Sequence, residues 1–438
     1  MTQVTAYRAA ILHSLGDPAQ VGLEASYDYY EDGILVVTDG HISDIGPAES
    51  VLARLPVEAE LKRFEHKLIT AGFIDTHIHF PQTEMIASYG EQLLDWLNNY
   101  TFPEEGKFAD PAHAQRVASF FLDELLRNGT TTAMVFGTVH KASVEAFFAE
   151  SDKRNMRMIA GKVMMDRHAP EYLLDTPESS YIDSKDLIER WHKKGRQLYA
   201  VTPRFAPTST AEQLGMAGRL LAEYDDVYLQ THLSENKQEI AWVKELFPER
   251  AGYLDVYDHF GLLGDRSVFA HAVHLEQAEC ERMGATDSVI SFCPTSNLFL
   301  GSGLLDLPEV ESHQIRVGLG TDVGGGTSFS MLRTISEAYK IQQLQQHKLH
   351  PLKALYLATL GGARALSLDD KIGNLAIGKE ADFLILDLHA TPLMHTRMNN
   401  THHLFELLFV LMMLGDDRAI AETYIAGNRQ YRRDKDSE

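Results

Sequence analysis

Cysteine is nearly absent from this chain of 438 residues: only Cys280 and Cys293 occur. Two thiols cannot build a disulfide framework, and their separation matches no Cys-type zinc motif. Such usage fits a reducing, cytoplasmic setting. Basic residues are in deficit, with 40 Lys and Arg against 62 Asp and Glu, for a formal net charge of -22. Without a basic stripe to neutralise phosphates, nucleic acid and anionic membranes are excluded as expected partners, and a small uncharged or cationic substrate fits better. Long apolar runs are also missing. The greasiest stretch, 404–414, is interrupted by Glu406; a bilayer span needs ~20 apolar residues, so this stretch reads as a buried helix or a subunit contact. The opening residues, MTQVTAYRAAILHSLGDPAQ, lack a basic start followed by an apolar core, so no secretory signal is expected. No G-x-G-x-x-G follows a strand-like run, which removes the support for a dinucleotide-binding open sheet.

What is present is a large apolar fraction, 44%, enough for a sizeable core and one big domain with a smaller companion. Short β-rich runs at 73–80, 131–139, 158–165, 198–205, 227–233, 267–273, 289–292 and 315–321 alternate with helical stretches at 111–127, 143–153, 211–223, 236–247 and 329–346. Eight strand-helix units over roughly 300 residues predict a (β/α)8 TIM barrel, whose catalytic groups sit at the C-terminal ends of its strands. The flanks differ. Residues 5–69 carry strand runs and an Asp39-Gly40 hairpin signal, and beyond 373 short strands return at 382–387 and 422–425 with a Gly427-Asn428 turn. The expected organisation is therefore an N-terminal part of a small β domain at 1–69, a barrel at 70–374, and the C-terminal part at 375–438. The two ends are expected to meet as a composite β-sandwich.

Strand periodicity in GFIDTHIHF puts Asp75, His77 and His79 on one face, with two imidazoles converging at the strand end. His232 closes the fifth strand in YLQTHLSEN, and Asp322 the eighth in VGLGTDVGGG. Three histidines and a carboxylate, with a coordination position left for water, are the parts of a hydrolytic metal site. A histidine on a strand is more often a packed residue than a ligand; the company of the others at strand ends lifts these four. Gly324 to Gly326 are expected to let the chain turn past Asp322. Glu235, three residues after His232, breaks strand period and falls on the rim loop, where a carboxylate can shuttle a proton released by metal-activated water. His271 closes the sixth strand in VFAHAVHL and is a candidate donor to the attacked oxygen, with His274 ranked behind it. His402 and His403 fall outside the pattern and read as surface residues. Another kind of zinc site uses H-x-E with P-C-x-x-C; His274-Leu275-Glu276 supplies the first half, but the cysteine half is missing.

GFIDTHIH, THLSE, AHAV and GTDVGG together resemble the amidohydrolase superfamily from residue 71 to about 385, and GNLAIGKEADFLILD resembles its exit from the barrel. Binuclear members place a carboxylated lysine at the end of strand four. Here TPRFAP stands there with Arg204, so the resemblance implies a mononuclear centre. Within the superfamily, HFPQTEMIASYGEQLLDWLNNYTFPEE, TPRFAPTST and SFCPTSN resemble the guanine deaminase family. That resemblance implies metal ligation by His77, His79, His232 and Asp322 and proton transfer by Glu235; in the expected reaction the catalytic His271 and Asp322 stand beside the tetrahedral intermediate. The metal would be Zn2+, with Fe2+ possible because both accept imidazole and carboxylate. It also implies a homodimer. The expected reaction is hydrolysis at C2 of guanine, with Glu235 protonating N3 and ammonia expelled. Chemistry supports this substrate independently: guanine offers O6 and N7 as adjacent acceptors, which suit the donor fork of Arg204. Gln82 has a donor and an acceptor for the N1 and O6 edge. Phe205 and Trp96 are candidates for stacking on the purine, and His79 and His232 would border it. The alternatives are amidohydrolase deaminases of another purine, a pterin or a triazine, or a barrel that has lost catalysis.

Overall fold

The computed structural model describes residues 4–89 and 93–433. All eight predicted strands form, and in the predicted places: Phe73–His79, Thr130–Phe136, Arg157–Gly161, Leu198–Pro203, Tyr228–Leu233, Ser267–His271, Val289–Phe292 and Arg316–Leu319. Each pairs in parallel with the next, and Val163–Met164 pairs separately with the fourth. The strands are almost wholly buried because helices cover their outer faces, which explains near-continuous rather than alternating apolar runs. Two helices, Pro111–Arg127 and Ala211–Glu223, begin and end where the sequence predicts. Asp110 and Thr210 cap their N-termini through their side chains, and Pro111 occupies the first turn, where its missing N–H costs nothing.

The termini meet, as expected. Val4–Ser14, Tyr27–Thr38, His41–Pro47 and Glu60–Ala71 join Phe383–Asp387, Ile420–Ile425 and Asn428–Arg432 in one seven-stranded sheet. The sheet folds over so that the turn at Gly40 lies against Ala426. Tyr7, Phe383 and Tyr424, from three of its strands, then pack on one another, with Phe383 and Tyr424 stacked at 4.4 Å. Arg157 and Arg196, at the N-terminal ends of the third and fourth barrel strands, pair with Glu380 and, for Arg196, Asp382 of the C-terminal segment. These ion pairs tie the small sheet to the bottom of the barrel, away from the rim that carries the site.

His13 links the two ends of the chain: its Nδ1 accepts the Leu375 N–H at 2.9 Å, and burial pushes its pKa down to about 4 from 6.5. Between those values the unfolded chain binds a proton that the folded chain refuses, so this residue removes stability as pH falls. The urea midpoint should drop on acidification from about 6.5 to about 4, and His13→Asn, which keeps an acceptor without the titration, should flatten that slope. An unchanged slope in the variant would contradict the assignment.

Candidate active site

Closure of the barrel assembles the site. Asp322 N donates to His77 O and His79 N donates to Val323 O, both at 2.9 Å, so the last strand is stitched to the first at its C-terminal end. Beneath them Asp75 accepts from Thr321 N at 3.0 Å and Oγ1 at 2.5 Å. Asp75 shares a face with His77 and His79 but spends its carboxylate on this brace. At three strand ends the chain turns through left-handed backbone, at Ser234 (φ 46°), His271 (φ 70°) and Asp322 (φ 50°), the kind of strain that concentrates at functional sites. The glycines after Asp322 serve close approach and not a left-handed turn: a Cβ on Gly326 would lie 1.7 Å from Thr321 O, and one on Gly324 2.9 Å from Gln82 O.

Four side chains from two strand ends and the Asp322 turn converge. His77 Nε2 lies 3.2 Å from His79 Nε2, which is 3.3 Å from His232 Nε2, and Asp322 Oδ1 is 3.1 and 3.2 Å from His77 and His79. Bonds of ~2.0–2.1 Å to a tetrahedral zinc ion require ligand separations of about 3.3 Å, so this spacing suits one ion. The protonation states also suit it. Burial pushes His77 down, His79 to about 3 and His232 well below 6.5, which keeps the imidazoles neutral. Burial would raise Asp322, but His77 and His79 outweigh it and hold the carboxylate ionised. Neutral imidazole and ionised carboxylate are the ligating forms. His232 Nδ1 donates to Arg204 O at 2.7 Å, turning its Nε2 lone pair toward the others.

Glu235 stands beside this cluster and is buried, not solvated on the rim. Its Oε1 accepts from Ser302 Oγ at 3.0 Å and its Oε2 lies 3.5 Å from His271 Nε2. Burial, then the charge of Asp322, pushes its pKa up to about 8, within the range useful for moving protons near neutrality. His271 pairs through Nδ1 with Asn297 Oδ1 at 2.8 Å, and its Nε2 lies 3.7 Å from Asp322 Oδ2. His274 is engaged elsewhere, with Ser302 O.

Beside these groups lies a partly open cavity of about 400 Å³, lined by Gln82, Trp96, Arg204, Phe205, Leu93, Leu97 and Leu300. Arg204 is not the free fork the sequence implied. Its Nη1 donates to both oxygens of buried Glu105, at 3.0 and 2.7 Å. Gln82 Nε2 donates to Glu105 as well, at 3.1 Å, while Gln82 Oε1 accepts from Gly324 N at 3.2 Å. Sequence reasoning missed Glu105, Ser302 and Asn297. A buried arginine demands a counter-charge, and that demand is the one signal that could have directed attention to the acids of TFPEE.

A barrel with this rim is a metal-dependent hydrolase scaffold, and the chain belongs to the amidohydrolase family, whose profile matches residues 68–429. Within that family it is 54% identical over 423 residues to the guanine deaminase of Escherichia coli, covering 97% of this chain and 96% of the relative. The solved E. coli guanine deaminase superposes with a TM-score of 0.96 at 53% identity, covering 98% of this chain and 100% of that one. A guanine deaminase from C. acetobutylicum, solved with bound guanine in its active site, superposes with a TM-score of 0.87 at 29% identity, covering 98% and 100% of the two chains.

If the four donors hold one ion, His232→Ala should lower metal content after exhaustive dialysis while the far-ultraviolet circular dichroism stays that of the parent. Full retention of metal would remove His232 from the set.

Proposed function

We propose that this chain hydrolyses guanine to xanthine and ammonia at the barrel rim. The observation that carries the reading is one cavity lined both by residues of a metal-ligand cluster with buried Glu235 and by Arg204 and Gln82. The likeness to guanine deaminases over nearly the whole chain supports the same substrate. His77, His79, His232 and Asp322 would hold an ion, which would supply water of lowered pKa at neutral pH. The protein's own groups do the rest. The remaining donors of Arg204 hold the O6 and N7 acceptors, and Gln82 reads the adjacent edge. Adenine would meet those donors with an amino group, leaving buried N–H groups unpaired, so it is rejected. Phe205 and Trp96 flank the ring. Glu235 takes a proton from the attacking water and delivers it to N3 as oxygen adds at C2; it then takes the proton of the added hydroxyl and delivers it to the amino group, which leaves as ammonia. His271, its Nδ1 engaged by Asn297, offers Nε2 to the added oxygen.

Zinc is the ion best supported, because a nitrogen-rich, closely spaced set suits tetrahedral coordination. A homodimer is supported by the half-exposed apolar side chains Leu404, Phe405, Leu407 and Phe409 on the helix Leu404–Leu414. A cytoplasmic location is supported by two buried cysteines that are both free. Among the described residues no helix is long and apolar enough to cross a membrane.

Incubation with guanine, adenine and cytosine should release ammonia from guanine alone, with the xanthine ultraviolet spectrum appearing in step. Ammonia from a different ring and none from guanine would overturn the reading. Glu235→Gln should cost on the order of 10²- to 10⁴-fold in kcat with metal content unchanged; near-full turnover would remove it from the proton path.

A further inference from the structure

Glu105 contributes no surface to the cavity, yet the two polar side chains proposed to read the substrate, Gln82 and Arg204, are both fastened to it. It is 1% exposed and ends the short helix Phe102–Glu105. Its carboxylate takes Arg204 Nη1 on both oxygens and Gln82 Nε2 on Oε1. It thereby joins the exits of the first and fourth strands, and through Gln82 Oε1 the Gly324 loop after the eighth. The Arg204 guanidinium also lies over the Phe102 ring, 5.5 Å from its centroid, so the helix holds the arginine by charge and by face.

Two consequences follow from the chemistry of the three groups. Arginine is donor-only, and a carboxylate is acceptor-only. Glu105 therefore fixes which end of the Gln82 amide is nitrogen: Nε2 toward the carboxylate, Oε1 toward Gly324 N–H. It also cancels a formal charge. An arginine buried beside a small cavity without a counter-ion would draw anions into it, whereas the Arg204–Glu105 pair presents oriented donors with no net charge.

We infer that Glu105 is a positioning and specificity residue that makes the cavity select a neutral purine over an anionic one. The inference rests on the guanine reading for its substrate. The product supplies the probe, because xanthine keeps the O6 and N7 edge but loses a proton near neutral pH, where guanine stays uncharged.

In Glu105→Gln the carboxylate charge is gone and an amide N–H faces a donor. KM for guanine should rise about tenfold or more, with a smaller fall in kcat, as expected when binding and not the chemical step is damaged. Equilibrium binding of xanthine, measured below and above its ionisation, should show ionised xanthine favoured over neutral xanthine about tenfold more strongly in the variant than in the parent. Glu105→Gln/Arg204→Met should be well under tenfold worse than Arg204→Met alone, because most of the effect of Glu105 passes through the arginine and only its hold on Gln82 remains to be lost. If Glu105→Gln does not fold, that double variant against Arg204→Met decides the matter. A fall in kcat at unchanged KM, an unaltered preference between the two forms of xanthine, or additive losses in the double variant would each overturn the inference. The binding arm needs no turnover, so a parent protein inert toward guanine would sink the substrate reading while xanthine binding still judged Glu105.

Discussion

The barrel closes through a few bonds between its first and last strands, and those bonds also build the site. Asp322 reaches His77 and His79 because its own backbone N–H is bonded to the carbonyl of His77. Asp75 clamps Thr321 just below, fixing where the strand ends and the left-handed turn at Asp322 begins. The four side chains that converge are drawn from residues 77 to 322, and these backbone bonds fix two of their strand ends against each other. The close approach of Gly326 to Thr321 O shows how little space the closure leaves.

Burial then decides the protonation state of each group so placed. Removed from water, the imidazoles are neutral and ready to ligate, while Glu235 is pushed up toward the pH at which it can both give and accept a proton. One kind of force thus tunes two roles in opposite directions, because desolvation always disfavours the charged form. Arg204 shows the other solution, a charge kept in the interior by a partner of opposite sign. The histidine cluster and Glu235 are governed by desolvation, and Arg204 by pairing.

The sequence disclosed the barrel because each strand is a short apolar run with turn residues after it, and because Asp110, Pro111 and Thr210 mark helix starts by local chemistry. His77 and His79 were legible through period-two alternation, and His232, His271 and Asp322 through their positions at the ends of such runs. Glu105 was not legible: in TFPEE nothing local separates it from Glu104, which instead pairs with Lys107 near the surface. Ser302 and Asn297 act on Glu235 and His271 across 67 and 26 residues of chain, distances over which no periodicity speaks. The pairing of the two chain ends was foreseeable in kind. The parallel register of Val4–Ser14 with Glu60–Ala71 was not, since it is set by packing against the rest of the sheet. The glycines after Asp322 were visible, but their reason lies in space that only the folded chain defines.

The central claim is that one ion sits among three imidazoles and the Asp322 carboxylate. X-ray absorption at the metal edge of the protein as purified tests it most directly, because Cys293, near His77 and His271, offers a competing sulfur ligand. The account predicts a shell of nitrogen and oxygen alone at about 2.0–2.2 Å, with the outer-shell scattering of imidazole rings. A sulfur neighbour at about 2.3 Å, or a shell without imidazole, would contradict it.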